Sequence, residues 1–287
     1  MSRSGEIGRR TFVDLSTGAV ALGGGITAAL AQATEFGSPH PPLVPEDDPS
    51  LEAALAALEY EAADGTRRAL NVYYAEPKGV TKTAPAIVVV QAVWGVDAQL
   101  RDTVRRLAKA GYVAVAPDLY TGLGAPSGDG RSDIAPFRAV SARLSDDVVD
   151  ADIAATARHI RKAGGAADRT VGVVGFCMGG GIALRQTIRN AGSFAAASVF
   201  YGKFAIADAD AIGVPLAGSW GARDTSIAAA GVAALDARLT QLGKPHDIKI
   251  YGDAGHAFFD DTRASYVASA ASDAWARTLA SFARYLK

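Results

Sequence analysis

Apolar residues in this chain fall into two kinds of block. Short continuous runs rich in valine and alanine occupy residues 84–92 (APAIVVVQA), 112–116 and 170–176. Runs of that length suit strands buried on both faces of a sheet. Residues 195–201, 214–220 and 247–251 read as further strands. Between the strands, apolar positions recur at helical spacing. Val96, Leu100, Val104 and Leu107 share one face over residues 96–110, and Gly111 ends that helix. Helices are also predicted over 145–163, 227–242 and 263–286. Ser145 is placed to cap the first of these, with Asp146 and Asp147 in its first turn. Strands alternating with helices specify an α/β fold, a mostly parallel central sheet covered by helices on both faces. The region before 84 differs. Residues 51–58 read as a short helix, and 58–62 and 67–75 as a hairpin around Asp64-Gly65. Residues 121–136, rich in Gly, Pro, Ser and Asp, read as a loop placed to cap a site.

One boundary between the two kinds of block carries chemistry. The run 170–176 passes into Ile182, Ala183 and Leu184 through Gly175-Phe176-Cys177-Met178-Gly179. That is the nucleophile-elbow pattern G-x-S-x-G with cysteine at its centre. A strand turning at once into a helix strains the central residue, and glycines on either side leave room for the turn. The thiol then stands at a helix N-terminus, where a thiolate and an oxyanion are both stabilised. The glycine spacing is not that of a dinucleotide or P-loop phosphate site. A buried inert thiol is the plain alternative.

A nucleophile needs a base, and the base an orienting acid. Of the four histidines, His40 lies among prolines, His159 on a helix in a charged run, and His246 just before a strand. Only His256 directly follows a strand, at the end of the sheet where α/β sites form. Asp224 follows the strand over 214–220, and the order Cys177, Asp224, His256 is that of α/β-hydrolases. Asp253 and Asp118 are the rival acids. The oxyanion hole is assigned to the N–H groups of Met178 and of Val93, in the loop after the run 84–92.

The remaining sequence narrows the setting. The chain has 287 residues, 49% hydrophobic and 21% charged, with net charge −1, so no basic field attracts nucleic acid. A single cysteine excludes an internal disulfide and any multi-cysteine metal site. Residues 1–33 read as a cleaved secretory signal. Arg9-Arg10 is a twin-arginine pair, a weakly apolar glycine-rich run follows, and Ala31-Gln32-Ala33 is a small-x-small cleavage pattern. The protein is therefore expected in the periplasm or outside the cell, without stable membrane insertion. Residues 34–50, holding five prolines, read as an extended linker rather than a packed element, and 51–287 as the enzyme domain.

Four stretches together resemble the dienelactone hydrolase (carboxymethylenebutenolidase) family of the α/β-hydrolase superfamily. They are Val93-Trp94-Gly95 with its following helix, Gly111 to Tyr120, Gly175 to Gly180, and Gly255 to Phe259. The resemblance spans residues 60–287. It implies a monomeric, cofactor-free hydrolase that opens small-molecule esters and lactones, with Cys177, Asp224 and His256 as its triad. Trp94, Tyr120 and Phe258 are then candidates to line the pocket. Two positions depart from the family pattern. Ala92 stands where the family usually has a glutamate, and Asp260 where the dienelactone enzymes have a carboxylate-binding arginine. If Asp260 faces the pocket, neutral substrates are expected; if it points away, Arg263 reaches in as the cation. A thioesterase or peptidase-like hydrolase on the same fold, and a non-catalytic binding or redox-sensing relative, are the alternative functions.

Overall fold

The computed structural model describes residues 42–130, 132–163 and 169–287. The expected signal, His40 and the first part of the expected linker lie outside the described residues. The elements in order are β1 (Leu51–Glu61), β2 (Arg67–Pro77), β3 (Ala86–Val90), α1 (Ala98–Lys109), β4 (Val113–Pro117), α2 (Ala135–Ser141) and α3 (Asp146–Lys162). They continue with β5 (Val171–Phe176), α4 (Met178–Arg189), β6 (Ala196–Phe200), β7 (Leu216–Gly221), α5 (Ala229–Gln241), β8 (His246–Tyr251) and α6 (Ala268–Tyr285). One eight-stranded sheet has the order β1-β2-β4-β3-β5-β6-β7-β8.

Strands β3 to β8 run parallel, and β2 and β1 pair antiparallel at one edge. Every residue of β3, β4, β5, β6 and β7 is buried. Successive side chains on a strand point to opposite faces, so these strands are covered on both. The mostly parallel α/β sheet is thus the one the valine-rich runs predict.

Three expectations need correction. Residues 51–58 are not a helix; they belong to β1, which pairs with β2 along its whole length from Leu51↔Pro77 to Glu61↔Arg67. Leu, Ala and Glu favour a helix weakly, and an eleven-residue ladder on a sheet edge outweighs that preference. Residues 42–50 are packed rather than extended away. The Leu43 and Val44 N–H groups donate to the buried Asp102 carboxylate at 3.1 and 2.8 Å, and Arg105 donates to the Val44 carbonyl at 2.7 Å. The last helix starts at Ala268, not at 263. Residues before it fold back on the His256 segment, through Ser265 Oγ to the Ala257 carbonyl and Val267 N–H to the Phe258 carbonyl. Ser145 does occupy an N-cap position, but its side chain makes no cap bond.

Candidate active site

β5 ends at Phe176 and α4 begins at Met178, so Cys177 alone makes the turn. Its backbone sits at φ 55° and ψ −113°, a conformation costing a non-glycine residue roughly 1–3 kcal/mol. Hydrogen bonds hold it there. Cys177 N–H donates to the Phe200 carbonyl at 3.0 Å, and the Cys177 carbonyl accepts from Gly180 and Gly181. The flanking glycines serve space rather than torsion. A β-carbon on Gly175 would lie 2.0 Å from the Gly179 carbonyl oxygen, and one on Gly179 2.3 Å from that of Val90. The start of α4 is therefore pressed against the end of β3, where the loop bearing Val93 begins.

Three side chains from three strand ends form one hydrogen-bonded line. His256, after β8, places Nε2 3.0 Å from the partly buried Cys177 Sγ. Its Nδ1 lies 2.7 Å from Oδ2 of Asp224, after β7. With a carboxylate as acceptor, Nδ1 carries the proton and fixes the ring's orientation. The other Asp224 oxygen accepts from the Ser226 N–H at 2.8 Å, the Ser226 hydroxyl at 2.7 Å and the Ile227 N–H at 3.1 Å. Burial raises the Asp224 pKa, but the Ser226 and His256 bonds outweigh it and hold the carboxyl below its usual 3.8. Burial likewise opposes a charged His256. The neighbouring Cys177 and Asp224 prevail and lift the imidazole from 6.5 to about 9.

Two of these supports have weak sequence signals. Ser226 belongs to an Asp-x-Ser turn, a common loop pattern. Tyr201 follows β6, takes φ 40°, and its ring centre lies 5.2 Å from that of His256. Cys177, Tyr201 and Ala257 are the non-glycine residues with positive φ among the described residues, and all three stand at this site.

The assigned oxyanion-hole residues are brought together indirectly. Buried Tyr120 donates its hydroxyl to the Val93 carbonyl at 2.9 Å and lies 4.0 Å from Met178 Sδ. Met178 opens α4, where the first N–H groups lack intrahelical acceptors. Tyr120 thus braces the loop. Phe258 is no pocket wall. It is fully buried, packed on Tyr201, Tyr251 and Phe200. It anchors the His256 segment in the core instead. Trp94 is partly exposed, with its ring edge on Phe137 and the Arg263 guanidinium 3.8 Å above its face. Asp260 is paired. It binds Arg263 Nε at 2.8 Å. A cavity of about 810 Å³ between the β1–β2 hairpin and the 118–128 loop touches Trp94 and Tyr120, but Cys177, Asp224 and His256 do not line it.

The rival groups sit elsewhere. His246 lies on β8 and reaches Asp236 and Thr240; Asp118 accepts the Tyr120 N–H. Among the described residues no helix is long and apolar enough to cross a membrane.

The chain as a whole is similar to known proteins. The family model described as "Dienelactone hydrolase family" matches residues 70–286. A Salmonella typhimurium protein named "Putative carboxymethylenebutenolidase" is 32% identical over 256 residues, covering 85% of this chain and 92% of that protein. An Escherichia coli K12 protein of the same name is 34% identical over 227 residues, covering 75% of this chain and 83% of that protein. The crystal structure of "Putative Dienelactone Hydrolase" from Klebsiella pneumoniae superposes with a TM-score of 0.69 at 32% identity, covering 81% of this chain and 100% of that one. The chain belongs to the dienelactone hydrolase family.

Proposed function

We propose that this hydrolase cleaves esters or lactones by acyl transfer through Cys177. His256 holds the thiol proton on Nε2, leaving a thiolate beside an imidazolium. The thiolate sulfur attacks the carbonyl carbon, and the carbonyl π electrons move onto oxygen. The Met178 and Val93 N–H groups hold that oxyanion; one such donor is typically worth about 2.7–4 kcal/mol. When the tetrahedral adduct collapses, the carbon–oxygen bond breaks and the leaving alkoxide takes the proton from His256. An acyl-thioester remains on Cys177. Water then attacks it, giving its proton to His256, and the acid leaves as the thiolate re-forms. Asp224 keeps Nδ1 protonated throughout, so that Nε2 faces sulfur.

The observation that carries this reading is the line Cys177–His256–Asp224, at 3.0 and 2.7 Å. A raised His256 pKa of about 9 fits a thiolate–imidazolium pair. Iodoacetamide tests the pair, because only the thiolate reacts readily. Native protein should be alkylated at Cys177 with parallel loss of esterase activity, and His256→Ala should slow that alkylation. Equal rates with and without His256 would refute it.

We further propose export by the twin-arginine route, on Arg9-Arg10 and the cleavage pattern at 31–33. Replacing both arginines by lysine should leave the protein in the cytoplasm. Normal processing of that variant would count against this route.

A further inference from the structure

Arg263 stands seven residues after His256, where a substrate's counter-ion could be sought. Its charge is already engaged. Nε donates to Asp260 Oδ2 at 2.8 Å, and Nη2 lies 3.6 Å from Asp97 Oδ2. Both acids are fixed by other bonds. Asp260 Oδ1 accepts from the Thr262 N–H at 3.2 Å and its hydroxyl at 2.7 Å. Asp97 caps α1, accepting the Leu100 N–H at 3.0 Å. Held between them, the guanidinium carbon lies over the Trp94 ring, 3.8 Å from its centre.

Trp94 is held from two other directions. Its ring meets Phe137 edge-on at 5.1 Å. The 118–128 loop approaches its carbonyl so closely that a β-carbon on Gly128 would lie 2.2 Å away. Trp94 directly follows Val93, whose N–H is assigned to the oxyanion. A stacked arginine that fixes Trp94 therefore also fixes the peptide beside that donor.

We infer that Arg263 is a positioning residue for the Trp94 wall rather than a substrate counter-ion, so that the site takes esters and lactones uncharged on the side facing Trp94. An arriving carboxylate would have to displace Asp260 from the guanidinium or sit beside two aspartates without a free cation. Both cost affinity, since a charge moved out of water needs its own partner. A neutral group placed beside this aromatic–guanidinium pair has no charge to desolvate, which suits apolar and flat substituents. This inference rests on the ester-hydrolase reading above and names the substrate class of that site.

The test uses two esters with one leaving group, p-nitrophenyl butyrate and p-nitrophenyl hemisuccinate, at pH 8. Wild type should favour the butyrate in kcat/KM by about tenfold or more. Arg263→Gln should lower kcat for both esters and, by leaving Asp260 and Asp97 unpaired, should keep the preference for the butyrate at least as large as in wild type. Asp97→Asn keeps the helix cap but removes one acid, and should shift the ratio toward the hemisuccinate. A wild type that prefers the hemisuccinate, with Arg263→Gln raising KM for that ester alone, would overturn the inference. Calorimetric binding of both esters to Cys177→Ala reads selectivity without turnover. Absent hydrolysis thus counts against the proposed function, whereas tighter hemisuccinate binding counts against Arg263 as a positioning residue.

Discussion

The elbow around Cys177 and the wall around Trp94 are built differently. The elbow is held by backbone. Its glycines lie against carbonyl oxygens of β3 and α4 at distances no β-carbon could tolerate, and its central residue is bonded through its own N–H and carbonyl. The wall is held mainly by side chains, Arg263, Asp260 and Phe137 from distant stretches and Asp97 from three residues along. A backbone lock admits few sequences, so it leaves a motif. A cluster of paired charges can be built many ways, so it leaves none. The proposed chemistry lies in the first kind of structure and the proposed selectivity in the second.

That contrast breaks first at the elbow. Gly179→Ala would drive a β-carbon to 2.3 and 2.4 Å from the Val90 and Gln91 carbonyls, where backbone must move. Overpacking of this kind costs typically about 1–3 kcal/mol, and more against backbone, so the variant should lose several degrees of Tm and nearly all esterase activity. Unfolding scans and a p-nitrophenyl ester assay check both. A fully stable, active variant would mean that the elbow is not locked.

The second effect depends on pH. His256 is raised to about 9, so the imidazolium is present below that value and lost as pH rises through it. An alkyl ester needs this proton for its leaving alkoxide, whereas nitrophenolate leaves without it. For an ethyl ester, kcat/KM should fall about tenfold per pH unit above roughly pH 9. For the p-nitrophenyl ester it should stay nearly level. A parallel fall of both would place the titrating group elsewhere.

A smaller effect is expected at Ser226. Its hydroxyl is one of four donors to Asp224. Ser226→Ala leaves the His256 bond and two backbone N–H bonds, so kcat should drop by about three- to tenfold with little change in KM. Steady-state kinetics would show it. A loss as large as that of Asp224→Ala would mean the hydroxyl, not the carboxylate, orients the histidine.

How much was legible in the sequence follows the same division. The inner strands β3, β4 and β5 are unbroken apolar runs because both their faces are covered, whereas the parallel edge strand β8 alternates. Cys177, Asp224 and His256 could be placed because each follows a strand and strand ends converge. β1 misled, since its alanines and leucines favour a helix and only the partner strand overrides them. Residues 42–50 misled for a related reason. Their packing depends on Asp102, a single aspartate on the buried face of a helix some sixty residues away. Phe258 beside a histidine reads as a pocket wall, but the chain reverses at Ala257, φ 59°, and sends it into the core. The tie between Asp260 and Arg263 is a local i to i+3 contact, yet its meaning depends on Trp94 and Asp97, far away in sequence.

The central claim is that Cys177 carries the acyl group between two half-reactions. Rapid mixing of the enzyme with excess p-nitrophenyl butyrate tests it directly. A burst approaching one nitrophenolate per chain is expected, with quenched protein showing one butyryl group on the peptide that contains Cys177. A linear time course with no butyryl group on Cys177, or acylation at another residue that survives Cys177→Ala, would contradict it.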